Sequence, residues 1–251
     1  MFKKTLLALA LCSSIAHADI VSVPVDKNKL GWFDSEVPTL TYTQPANNAK
    51  GTLLIVMGGE GRINLERGES VTYRPTINML RPLIGKGYNL VVFDSPYELF
   101  NSTDMASPRF ASDHQRRLDE VVTYYKKAYG FPVWLFGHSA GAVSVAEYAN
   151  RIESNPDKLA GLIISASHER TYVNVTMKVP VLVLHHDSDP CPRTNPYVAE
   201  REYKRIRSAT TSRVELAWVR GGQSGDACRG GTHMYAGELE QAQTIIERFI
   251  K

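Results

Sequence analysis

Five residues, Gly137-His138-Ser139-Ala140-Gly141, carry the clearest chemical signal in this sequence: a serine set between glycines in the spacing G-x-S-x-G. An apolar run, 133–136, leads straight into them, and an amphipathic stretch begins straight after. A sharp strand-to-helix turn forces strained backbone on the serine. Flanking glycines are needed there because side chains would collide with neighbouring backbone. Such a turn lifts the hydroxyl out of a sheet and sets it at a helix N-terminus, where the dipole favours developing negative charge. The competing reading is a buried helix N-cap serine in a glycine-rich turn. The strand before it and the helix after it favour a nucleophile.

A serine alcohol reacts only when a base takes its proton, so the reading requires a histidine held by a carboxylate. The histidines available are His114, His138, His168, His185, His186 and His233. His233 ends Gly230-Gly231-Thr232-His233, in a loop between the last predicted strand and the last predicted helix, and it is the expected base. The acid is expected in His185-His186-Asp187-Ser188-Asp189-Pro190, past the end of another strand. Asp189 is preferred over Asp187, which lies closer to the strand and could cap the turn through its own backbone. His185 and His186 point to opposite faces of a strand and cannot readily chelate one ion, so they read as turn or core histidines. Met57-Gly58-Gly59-Glu60-Gly61 follows a third strand, and its small residues let backbone N–H groups approach a bound carbonyl oxygen. The amides of Gly59 (less so Gly58) and Ala140 are the expected oxyanion donors. The glycine run lacks both the G-K-[ST] ending and the G-x-G-x-x-G spacing of phosphate loops.

These residues need a scaffold that displays strand ends side by side. Short apolar runs at 52–57, 89–93, 133–136, 159–164, 181–185 and 213–219 predict strands buried on both faces. They alternate with amphipathic segments at 112–128, 140–153, 195–208 and 237–249, which predict helices. Residues 19–43 are expected to add one or two antiparallel edge strands. The alternation predicts an α/β fold with a mainly parallel, doubly wound sheet, flanked by helices and binding ligands at the carboxyl ends of its strands.

The 251 residues are 43% hydrophobic and 22% charged, ordinary for a globular protein, and no repeat or linker-like shift divides them. A formal charge of +3 gives no electrostatic reason to expect nucleic acid or an anionic membrane as partner. The first eighteen residues have the form of a cleaved signal peptide: Lys3 and Lys4, an apolar run, then Ala16-His17-Ala18. The run is too short to span a bilayer, so export to the periplasm or medium is expected, with residues 19–251 as a single domain and no stable membrane insertion. Cleavage removes Cys12 and leaves Cys191 and Cys228, an even pair that reads as one disulfide in an exported protein. That bridge would pin the acid loop to the histidine loop.

Together the motifs Met57–Gly61, Gly137–Gly141, His185–Pro190 and Gly231-Thr232-His233 resemble those of the α/β-hydrolase superfamily, and the likeness runs over nearly all of residues 19–251. The acid loop is similar to the H-G-x-x-D-P pattern of that superfamily, with His186 in place of the glycine, which independently points to Asp189. Met57 stands where the oxyanion loop usually has histidine. The resemblance implies hydrolysis of a carboxylic ester or related acyl bond through Ser139, His233 and Asp189, with no metal or organic cofactor. The connection 165–179 is too short for a helical cap, so a fairly open cleft is expected, admitting small-molecule or polymeric acyl substrates. Acyl transfer, peptide cleavage and a non-catalytic, ligand-binding role on the same fold are the alternatives.

Overall fold

The computed structural model describes residues 18–32, 34–69, 71–99 and 106–251. The segment 1–18 read as a signal peptide lies outside them except for Ala18.

Eight strands form one mixed sheet: β1 (Asp19–Val23), β2 (Thr39–Gln44), β3 (Gly51–Val56), β4 (Tyr88–Asp94), β5 (Val133–His138), β6 (Leu159–Ser165), β7 (Val181–His186) and β8 (Val214–Val219). The order across the sheet is β1-β2-β4-β3-β5-β6-β7-β8. β1 and β2 are the expected antiparallel edge strands, and β2 also runs antiparallel to β4. All the remaining pairings are parallel. The six apolar runs of the sequence are the six parallel strands, to within two residues at each end.

Alternation along those strands splits the core between the two faces. Leu54 and Val56 of β3, with Val133 and Leu135 of β5, pack on one face with Leu118, Val121, Val122 and Tyr125. Leu53 and Ile55, with Trp134 and Phe136, pack on the other with Ile246 and Phe249. The first face carries α2 (Ser112–Tyr129), α3 (Ala140–Arg151) and α4 (Pro196–Ser208), and the second carries α1 (Pro75–Leu80) and α5 (Leu239–Ile250). Gly130 closes α2 in the left-handed conformation at φ 78°, donating its N–H to Lys126 O. The helices of the sequence reading are α2 to α5. Among the described residues, no helix is long and apolar enough to cross a membrane.

The topology decides where chemistry can happen. From β3 the chain moves outward to β4, then returns to lay β5 on the other side of β3, so the order reverses between β3 and β5. A crevice opens at such a switch point, beyond the carboxyl ends of the strands. Val56 is in register with Gly137, so the segment after β3 and the turn after β5 emerge together. The turns after β7 and β8 emerge at the same edge because those strands are parallel to β5. Residues 166–180, between β6 and β7, contain no helix or strand, so no cap covers that edge from this connection.

Candidate active site

Ser139 sits between β5 and α3 with φ 56° and ψ −126°, a strained conformation for a residue with a Cβ. Ser139 holds the N-cap position of α3, but its side chain makes no capping hydrogen bond, so capping does not account for the hydroxyl. The glycines explain how so sharp a turn closes. A Cβ on Gly137 would lie 2.4 Å from Gly141 O, and one on Gly141 would lie 2.2 Å from Val56 O. Strand β3, strand β5 and helix α3 therefore touch through bare backbone. Gly58 faces the elbow as closely, since a Cβ there would be 2.8 Å from His138 O and 2.9 Å from Ser139 Cβ. The segment after β3 thus lies against the serine.

Asp189 and His233 meet across 44 residues of sequence: His233 Nδ1 is 2.9 Å from Asp189 Oδ2, and both side chains are buried. Asp189 Oδ1 accepts the Cys191 N–H at 2.9 Å, and Oδ2 accepts the Thr194 hydroxyl at 2.8 Å. Burial pushes the Asp189 carboxyl up. Its hydrogen bonds from His185, His233 and the Cys191 amide outweigh that and hold it well below the usual carboxylate range. An ionised Asp189 accepts from Nδ1, so Nδ1 carries the proton and Nε2 keeps a free lone pair. That is the tautomer a general base requires. Asp187, the other carboxylate of the loop, is partly exposed, pairs with Arg220 at 3.4 Å and accepts the Ser188 hydroxyl.

The imidazole of His233 lies beside the elbow, its ring centroid 5.2 Å from that of His138, the residue before Ser139. Among the described residues, no hydrogen bond joins the Ser139 hydroxyl to His233. Catalytic hydrogen bonds are commonly long before substrate binds. His138 itself is buried. Its Nδ1 pairs with Ser165 Oγ at 3.0 Å, and Ser165 pairs with the Tyr235 hydroxyl at 2.8 Å. Burial, aided by the nearby His233, lowers His138 to about 3, so it stays neutral and adds no charge beneath the site.

The acid and base loops are fastened in three ways. The Thr232 hydroxyl donates to Ser188 O at 3.0 Å, His233 bonds Asp189, and Cys191 and Cys228 form a disulfide. The pairing expected from cysteine arithmetic is present. Closing a loop of 37 residues is worth about 4 kcal/mol in the chain-entropy estimate. Replacing both cysteines by serine is expected to lower unfolding free energy by about that amount, read by urea denaturation. An unchanged midpoint would show that the loops are held without the bridge.

The low Asp189 pKa also fixes an acid limb of stability. A folded-state pKa below the unfolded one contributes stability that is complete above the unfolded value of about 4 and is lost as pH falls below it. The stability gap between wild type and Asp189→Asn should therefore shrink between pH 5 and pH 2, measured by denaturant melts. A gap constant over that range would contradict the assigned ionisation.

Two neighbours of the acid were not visible as such in sequence. Thr194 bridges Asp189 and His233, its hydroxyl 3.1 Å from His233 Nδ1. His185, read as a core or turn histidine, is fully buried with Nε2 3.4 Å from Asp189 Oδ2 and 2.7 Å from Thr194 O. Its Nδ1 accepts the Ser167 N–H at 3.1 Å, so Nε2 carries the proton and faces the acid. Thr194 belongs to no motif; His185 opens the acid-loop motif, but nothing in that spacing says that its ring faces the carboxylate. Only their closeness in sequence to Asp189 hints at them.

The described architecture is the α/β-hydrolase fold. Solved structures similar over almost the whole chain include a dienelactone hydrolase from Anabaena variabilis, with 14% identity and a TM-score of 0.61, covering 93% of this chain and 96% of that one. An α/β serine hydrolase without a lid from Xanthomonas campestris aligns at 16% identity and a TM-score of 0.60, covering 96% of each chain. An esterase from Pyrococcus furiosus aligns at 12% identity and a TM-score of 0.60, covering 94% of each chain. No protein-family model and no curated protein sequence matches this chain.

Proposed function

We propose that this protein is an exported serine hydrolase that cleaves a carboxylic ester or related acyl bond. The observation that carries the proposal is the Asp189–His233 pair, held beside a strained Ser139 at the switch point of an α/β-hydrolase fold. Ser139 attacks the acyl carbon while His233 Nε2 takes its proton, and the tetrahedral oxyanion is held by the amides of Gly59 and Ala140. Ala140 is the first residue of α3, where backbone N–H groups have no intrahelical acceptor. His233 returns the proton to the leaving alcohol. An acyl-enzyme remains, and water attacks it with His233 again as base. Asp189 orients the imidazole and balances its charge throughout.

The Cys191–Cys228 disulfide supports export, since such bonds persist in oxidising compartments. The connection without a cap between β6 and β7 supports an uncovered cleft, and the lidless and esterase structures of the same fold support ester hydrolysis. The test is a panel of p-nitrophenyl esters of increasing acyl length, with and without an added alcohol acceptor. Steady release of p-nitrophenol and free acid is expected. Acyl product on the alcohol alone would make the protein a transferase, and no turnover of any ester would overturn the proposal.

A further inference from the structure

Arg109 is fully buried and, among the described residues, has no carboxylate partner. An unpaired buried cation is among the costliest things a fold can hold. Its Nε has no hydrogen-bond partner, and burial pulls its guanidinium down to about 9, so it stays charged at neutral pH. Both terminal nitrogens are used, and what they hold is informative. One donates to Gly59 O at 2.7 Å and the other to Ser144 Oγ at 2.9 Å.

These acceptors belong to the two elements proposed to supply the oxyanion amides. Gly59 is itself one donor, and Ser144 lies one turn along α3 from Ala140, the other. Gly59 adopts φ +55° and a Cβ there would touch nothing within 4 Å, so packing does not fix this residue. Its carbonyl is fixed instead, by the guanidinium. Gly61 leaves Arg109 room, since a Cβ there would be 3.3 Å from the nitrogen that holds Gly59. A guanidinium is planar and rigid, so one group serving both acceptors sets the spacing between the loop and the helix.

The far side of Arg109 is equally determined. Gln115 Nε2 donates to Arg109 O at 2.7 Å and to Ser144 O at 3.1 Å, tying the backbone of residue 109 to α3. Ser144 Oγ accepts from Arg109 and also pairs with His114 Nε2, 2.8 Å away. Burial, with the charge of Arg109 beside it, holds His114 well below its usual range, so it is neutral and adds no second charge to Arg109.

We propose that Arg109 is a positioning residue for the oxyanion hole, bridging the Gly59 loop to α3 so that the Gly59 and Ala140 amides converge on one point. The inference rests on the hydrolase reading given above. Arg109 acts through the loop and does not touch substrate. Its loss should therefore weaken transition-state binding more than substrate binding.

The test compares wild type, Arg109→Met, Arg109→Lys and Ser139→Ala on one p-nitrophenyl ester, with near-UV circular dichroism confirming the fold of each. Misplacing one oxyanion donor costs on the order of 100-fold in kcat. Arg109→Met is expected to lose about that much with KM changed less than about twofold. Arg109→Lys, which keeps the charge but serves one acceptor, is expected to fall about tenfold. Folded Arg109→Met with wild-type kcat would overturn the inference and leave the hydrolase reading standing. If Arg109→Met does not fold, Arg109→Lys decides: wild-type kcat overturns the inference, and a kcat loss at constant KM supports it. A wild type as inert as Ser139→Ala would overturn both readings together.

Discussion

Ser139→Ala is expected to reduce ester turnover by about 10⁵- to 10⁶-fold while leaving the thermal melt within a few degrees of wild type. Activity falls so far because the acyl-enzyme route needs a nucleophile that water bound at the site cannot replace. Stability is preserved for a structural reason. The Ser139 side chain does not cap α3, so its hydroxyl is dispensable to the helix. Alanine keeps the Cβ, and with it the strain of φ 56°. Ser139→Gly removes that strain as well as the hydroxyl, so it should be equally inactive yet more stable than Ser139→Ala by about 1 kcal/mol. A calorimetric scan of the three proteins separates these effects. Retained turnover in Ser139→Ala would remove the serine from the mechanism.

Asp189→Asn is expected to cost about 10⁴-fold in kcat with KM nearly unchanged. The carboxylate of Asp189 sits at the meeting point of His233, Thr194 and the Cys191 amide. An asparagine fits the same space, so the loop keeps its shape. The amide can present an N–H to His233 Nδ1, however, and the imidazole proton then moves to Nε2. That nitrogen can no longer accept the Ser139 proton, and the charge that stabilised the imidazolium is also gone. Steady-state kinetics on one ester reads the effect. A loss expressed in KM rather than kcat would indicate that Asp189 shapes substrate binding instead of the base.

The sheet was legible because its parallel strands stand out as short apolar runs: β3 to β7 are buried on both faces, whereas β8, expected to be so, lies at the sheet edge and is only half-buried between Val214 and Val219. The elbow was legible because G-x-S-x-G records a steric need: the distances at Gly137 and Gly141 leave no room for side chains. Asp189 and His233 could be placed by chain order after strands β7 and β8, since parallel strands deliver their loops to one edge. Other parts left no local trace. α1 is only six residues long, begins at Pro75 and is followed by 3₁₀ turns through Lys86, so no helical period develops there. Thr194 meets Asp189 through packing that only the folded loop creates. Arg109 is 50 residues from Gly59, in a single 3₁₀ turn (Ser107–Phe110) that no spacing predicts. Its burial, the most informative thing about it, is invisible in a sequence where arginine reads as surface.

The most direct measurement is peptide mapping by mass spectrometry after treatment with a fluorophosphonate, which forms a stable adduct only with an activated serine. One adduct per chain is expected, on the peptide containing Ser139, and it should vanish in Ser139→Ala and fall sharply in His233→Ala. No adduct on the folded wild-type protein, an adduct on another serine, or undiminished labelling without His233 would contradict the mechanism.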